Sequence, residues 1–310
     1  MFVVRNTCDT LVFMPTHASP YQSLIDDAAV FPPGESPLPE AVMQHLHYRT
    51  TDLDAFVGPF VVGAGSLNDL ANLATPARFP HDLAVSVVVP AGALEATLAA
   101  LADLPRLVLA ALEVKLAPAG APGEQIEEVT KLHDRLAPQA TLFIEVSRPT
   151  ESPSQDWFDT VSAVARTGGR LKFRTGGVTT DAFPTDREMA IAITGAVSHR
   201  TPFKCTAGLH NAVRHRDPAT GFEHHGFLNI LMATADALTG ADDLKVQNRL
   251  AERSGRILAA DLESTSSPEL LEARSMFLSY GSCSVYEPLA DLEALGLLNL
   301  DYLVRRVVSS

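Results

Sequence analysis

Cysteine is nearly missing from this 310-residue chain: Cys8, Cys205 and Cys283 are the three it has, too few and too scattered for a disulfide framework or a thiolate zinc site. A reducing, cytoplasmic setting fits that scarcity. Long apolar runs are lacking as well. None reaches the roughly 18 residues that a membrane-spanning helix needs, so no membrane partner is expected. The opening MFVVRNTCDTLVFMPTHASP has a single arginine and no sustained apolar stretch, which makes a poor signal peptide. Residues 1–20 read as an extension and residues 21–310 as the folded domain. Basic side chains are in short supply, 24 lysines and arginines against 37 acids for a net charge of −13. That balance argues against a nucleic-acid partner, because binding the phosphate backbone needs clustered cations. Gly-x-Gly-x-x-Gly and phosphate-loop signatures are missing too, which removes the usual support for a doubly wound nucleotide-binding sheet.

What the chain does have is apolar material, 46% of its residues, arranged in alternation. Runs rich in valine, leucine and isoleucine fall near Leu24–Phe31, Phe60–Ala64, Leu83–Val89, Leu107–Leu116, Thr141–Val146, Leu171–Arg174, Phe203–Thr206 and Met276–Tyr280. Between them lie helical patterns at Pro39–Arg49, Leu67–Leu73, Ala93–Ala102, Glu124–Leu136, Gln155–Ala165, Asp186–Val197 and Phe227–Leu238, with Pro288–Leu295 closing the series. Eight strand–helix alternations in a chain of this length predict a single parallel (β/α)8 TIM barrel. One stretch breaks the rhythm. From Leu238 to Arg274 the spacing is too long for one crossover, and Leu244–Leu262 reads as an added helix or two; a lid and a homo-oligomer contact are both open as its role.

Two segments carry the chemistry: Leu171-Lys172-Phe173-Arg174-Thr175-Gly176-Gly177 and Phe203-Lys204-Cys205-Thr206-Ala207-Gly208. Each reads as a short strand with one lysine turned inward and a glycine exit. Adjacent parallel strands would hold the two lysines together. Desolvation and like-charge repulsion then favour a neutral amine, and a neutral lysine is a nucleophile for carbonyl carbon. Strand parity extends the site. If Leu112, Val114, Leu142, Ile144, Leu171, Phe173, Phe203 and Cys205 face the helices, then Glu113, Lys115, Glu145, Lys172, Arg174 and Lys204 point inward. Buried charges are costly unless paired, so these six are expected to form a mixed network.

These residues resemble the class I, Schiff-base-forming 2-deoxyribose-5-phosphate aldolases and their wider aldolase-type barrel superfamily. Leu24-Ile25-Asp26-Asp27-Ala28 is similar to that family's Leu-Ile-Asp-His-Thr, and Leu142-Phe143-Ile144-Glu145 to its Val-Ile-Ile-Glu. Lys172-Phe173-Arg174-Thr175-Gly176 resembles the Lys-Thr-Ser-Thr-Gly strand of the Schiff-base lysine; Phe203-Lys204-Cys205-Thr206-Ala207-Gly208 resembles Phe-Lys-Pro-Ala-Gly-Gly. Gly281-Ser282-Cys283-Ser284 looks like the Gly-Ala-Ser-Ser phosphate turn. The resemblance runs in order over about residues 22 to 297. It implies a lyase in which Lys172 or Lys204 forms the iminium, with Glu113, Glu145 or His210 moving protons and Asp26 and Asp27 orienting a lysine or substrate hydroxyls. Arg174, Arg214, His210, His225 and the Gly281-Ser282 turn would bind a small carbonyl substrate, anionic or phosphorylated, without metal or cofactor.

The departures also inform. Lys115 stands where the family's Glu-Val-Asp-Val strand has its catalytic aspartate, and the segments Leu209-His210-Asn211-Ala212-Val213-Arg214-His215 and Glu223-His224-His225-Gly226 are far richer than the family's Gly-Val-Arg. Both point away from deoxyribose phosphate as substrate. They also open a rival from another chemical class, a metal-dependent hydrolase using His210, His215, His224 and His225 with Glu223 or Asp217.

Overall fold

The structure, a computed structural model, describes residues 19–79 and 81–299; the expected extension over 1–18 and Cys8 lie outside the described residues. Eight parallel strands close into a barrel in the order β1 (Ile25–Asp27), β10 (Phe277–Ser282), β7 (Phe203–Thr206), β6 (Arg170–Arg174), β5 (Thr141–Glu145), β4 (Leu107–Lys115), β3 (Leu83–Pro90), β2 (Val57–Gly63). A two-residue hairpin, β8 (His215–Arg216) with β9 (Glu223–His224), rises between β7 and the next helix. The expected fold class therefore holds.

Most helices fall where the apolar spacing puts them, and their ends have local causes. Proline opens Leu38–Arg49 and Pro122–Leu136, where its missing N–H costs nothing. After the first lysine strand, Thr185 and Glu188 form a reciprocal capping box that starts the helix Asp186–Ser198. The first strand is shorter than the apolar run suggests, because the chain turns at Ala28–Phe31 into Pro32 and Pro33, which have no N–H to give a sheet. The inserted span Leu244–Leu262 holds two helices, Asp243–Ala251 and Gly255–Ser264, within the expected one or two, and a third, Ser267–Met276, follows before the last strand. They pack outward on Asp186–Ser198 and Phe227–Leu238. A lid is thereby set aside, since no residue of the insertion lines the barrel mouth. Among the described residues no helix is long and apolar enough to cross a membrane.

Behind the lysine strands lies a run of rings. Phe173 packs on Phe203 at 5.3 Å between centroids, Phe203 on Phe277 at 5.4 Å, and Tyr280 on Phe227 at 5.2 Å. All but Phe173, at 3% exposure, are fully buried. Each such ring contributes on the order of 2 kcal/mol by burial, and the tilted Phe173–Phe203 pair and the stacked Phe203–Phe277 pair tie β6, β7 and β10 together. The register of β10 against β7 shifts between Phe277 and Ser279. That bulge keeps Phe277 with the outer rings and lets Ser279 point inward.

Candidate active site

Register fixes the floor of the site before any side chain is considered. Lys115 pairs with Glu145, Glu145 with Lys172, Lys172 with Lys204, and Lys204 with Ser279. Alternation along each strand turns this layer toward the barrel axis near the C-terminal mouth. Glu113 comes from one turn of the pleat below, opposite Phe143.

The side chains then interlock. Glu113 accepts from Lys204 at 2.6 Å and from the Ser86 hydroxyl at 2.7 Å with one oxygen, and pairs with Lys172 at 2.8 Å with the other. Lys172 also reaches Glu145 at 3.0 Å. Lys204 also donates to Asp26 at 2.5 Å, and Asp26 accepts from Ser279 at 2.8 Å. Beneath, the Phe143 ring lies 5.3 Å from the Lys204 nitrogen, a further weak attraction. Asp26, Glu113, Lys172 and Lys204 are each at most 4% exposed.

This geometry corrects one expectation. The lysines are adjacent, as parity requires, but they do not face each other as bare cations. Glu113 stands between them, and Arg174, half-exposed, leans on Glu145 at 3.9 Å. Burial alone would lower the Lys204 pKa, yet Asp26 and Glu113 outweigh it and raise it. Burial would raise Glu113, and the two ammoniums instead hold it well below the usual carboxylate range. For Asp26, burial wins over Lys204 and the pKa rises. Of Asp26 and Glu113, Asp26 is thus the one on which a proton rests more easily.

Gly58 is required by this packing. A Cβ there would lie 2.2 Å from an Asp26 carboxylate oxygen. Gly58→Ala is expected to push Asp26 off Lys204 and to cost about 1–3 kcal/mol through overpacking; an unchanged thermal midpoint would contradict this.

Above the floor opens a cavity of about 650 Å³ reached by Glu113, Lys115, Glu145, Lys172, Arg174 and Lys204. Phe31, Phe183 and Phe222 give it an apolar side, and Gly281, Cys283, His210 and His224 complete the wall. Sequence reasoning missed Ser86, Ser279 and His45. Ser86 is the lone hydroxyl of an apolar strand, which was the available signal, whereas Ser279 shares its strand with Tyr280 and Ser282. His45 meets Asp27 at 3.0 Å, so Asp27 serves that helix rather than a lysine.

Several expected binding residues lie elsewhere. Arg214 is 8% exposed and is consumed by Asp186 at 2.7 Å and His225 at 3.1 Å. His225 accepts from Arg214 and donates to the Pro184 carbonyl at 2.9 Å. Burial, with Arg214 adding to it, pushes His225 down to about 3, so it is a neutral tie between hairpin and helix. Neither lines the cavity, because their side chains turn beneath the hairpin. Ser282 donates to the Ser284 carbonyl at 2.6 Å and accepts from the Ser284 N–H at 3.3 Å, closing its own turn instead of facing a ligand; Gly281 does face the cavity.

The four histidines of the hydrolase reading also separate. His210 sits 3.3 Å from Glu287 and 3.5 Å from the Cys283 sulfur. His215 and His224 stack across the hairpin at 5.1 Å, and His225 is sealed below. Among the described residues no group of three or more His, Cys, Asp or Glu side chains is placed to hold a metal ion. No protein-family model matches this sequence, and no curated protein matches it either.

Proposed function

We propose that this barrel is a lysine-dependent, Schiff-base-forming lyase of the aldolase type, acting on a small carbonyl compound, with Lys172 as the nucleophile. The carrying observation is that Lys172 is a buried amine on the floor of an open cavity, held by two carboxylates, Glu113 and Glu145. Closed parallel barrels commonly place enzyme active sites at this C-terminal mouth, and the aldolase resemblance matches the same strands.

Each step has a resident group. Glu145, the carboxylate nearer the mouth, takes a proton from Lys172. The freed amine adds to the carbonyl carbon, and the oxygen, protonated by Lys204, leaves as water to give the iminium. Lys204, having given up its proton, takes the hydroxyl proton of the carbon beyond the neighbouring one as that C–C bond breaks, and the bond's electron pair moves toward the iminium nitrogen, yielding an enamine and a second carbonyl. Protonation of the enamine and addition of water return Lys172. Asp26 and Glu113 hold Lys204 in place through contacts of 2.5 and 2.6 Å.

Borohydride trapping with a panel of aldehydes and keto acids, read by intact mass and peptide mapping, tests this. A reduced adduct on Lys172 is expected. No adduct from any carbonyl, or adducts spread over surface lysines alone, sinks the reading.

A further inference from the structure

The mouth holds one cation that the floor does not use. Asp26, Glu113 and Glu145 face Lys172 and Lys204, an excess of one carboxylate that Arg174 offsets at 3.9 Å from Glu145. Lys115 then remains. It lines the cavity one strand from Glu145 and has no ion-pair partner among the described residues. The last lining carboxylate, Asp217, belongs to the hairpin turn, where Thr220 donates to it at 2.7 Å and the Ala219 N–H at 2.9 Å.

We propose that Lys115 and Arg174 form an anion subsite for a substrate carboxylate, so that the enzyme takes a carbonyl compound bearing one carboxylate, such as a 2-oxo acid, rather than a phosphate ester. This rests on the Schiff-base reading of Lys172 and names the substrate class for that site. The two cations flank Glu145, on β4 and β6, so an anion held by them lies beside the Lys172 amine. Arg174 offers a planar fork matched to a carboxylate. Lys115, the lining cation without an ion-pair partner among the described residues, matches one carboxylate, whereas a phosphate ester brings nearly two negative charges. The Gly281-Ser282 turn is a poor alternative seat: its hydroxyl is spent on Ser284, and Glu287 stands beside it against His210.

The test compares pyruvate, propanal and glyceraldehyde 3-phosphate as trapping substrates, each with the wild type, Lys115→Gln and Lys115→Arg. The wild type is expected to trap pyruvate at the lowest concentration. Lys115→Gln should raise half-saturation for pyruvate roughly five- to tenfold more than for propanal, and Lys115→Arg should retain the preference. Tighter trapping of glyceraldehyde 3-phosphate than of pyruvate, or a fixed pyruvate-to-propanal ratio in Lys115→Gln, overturns the subsite while propanal adducts keep the Schiff-base reading intact. If no carbonyl is trapped, that reading fails and calorimetry with propanoate, which has the carboxylate but no carbonyl, decides the subsite: propanoate binding that weakens roughly five- to tenfold in Lys115→Gln supports it, and equal or absent binding in both proteins removes it.

Discussion

Glu113→Leu is expected to lower folding stability by about 3–5 kcal/mol, the cost of leaving buried charges without their partner. Two ammoniums converge on this one carboxylate, at 2.6 and 2.8 Å, and both are at most 2% exposed. Urea unfolding at neutral pH would show it as a lower midpoint at constant slope; a change within 1 kcal/mol would mean that the network is far better hydrated than its burial indicates. The pH dependence is equally specific. Glu113 is depressed in the fold, since the two lysines overcome burial, so its contribution is present above its ordinary value of 4.5 and lost as pH falls toward the folded value. Lys204 is raised, since Asp26 and Glu113 overcome burial, so its contribution is present below 10.5 and lost as pH rises through the folded value. Asp26 runs the other way. Its raised pKa, from burial foremost, means that holding it ionised costs stability above 3.8. Asp26→Asn should therefore be milder than Glu113→Gln, and the reverse order would refute the assignment of charge on the floor.

The second large effect is functional. Lys172→Met should eliminate the borohydride adduct and reduce turnover by at least about 10⁴-fold, the scale seen when a covalent machine loses its nucleophile. Its stability cost should be smaller than that of Glu113→Leu, because Glu113 keeps Lys204 and Glu145 keeps Arg174. Lys204→Met makes the informative companion. It should slow iminium formation without removing the adduct site, while stranding Asp26. An adduct that persists in Lys172→Met and maps to Lys204 would reverse the roles of the two lysines.

Much of the barrel was legible because its signals are local. Alternation of apolar runs with helical spacing located all eight barrel strands, and parity within β4 to β7 turned Glu113, Glu145, Lys172 and Lys204 inward, where they lie. Register was not legible. Glu113 reaches both lysines from one repeat of the pleat below their layer, and Asp26 meets Lys204 across barrel closure with β10 between them, 178 positions apart in sequence. Parity read the like charges correctly, but not the acid that stands between them. The loops were harder still. His225 and Arg214 sit in segments with no periodicity, so nothing in the sequence says that they turn beneath a hairpin whose strands are two residues long. Lys115 was placed in the paired network by parity, yet it stands at the strand's last position, where the chain leaves the barrel and an inward side chain reaches the opening.

The exits of the two lysine strands are laced together. Thr175 donates to the carbonyls of Thr206 and Ala207, and Gly176 lies so close to Gly208 that a Cβ on Gly176 would come within 2.9 Å of the Gly208 α-carbon. Gly208 itself holds a left-handed φ of +74°. With no side chain to act as a cushion, the two turns bear directly on each other and on the Phe183 ring. They therefore hinge as one plate: any opening of the mouth on this side must carry both loops at once, and a mutation that loosens the loop after β7 will be felt by whatever is bound at the loop after β6.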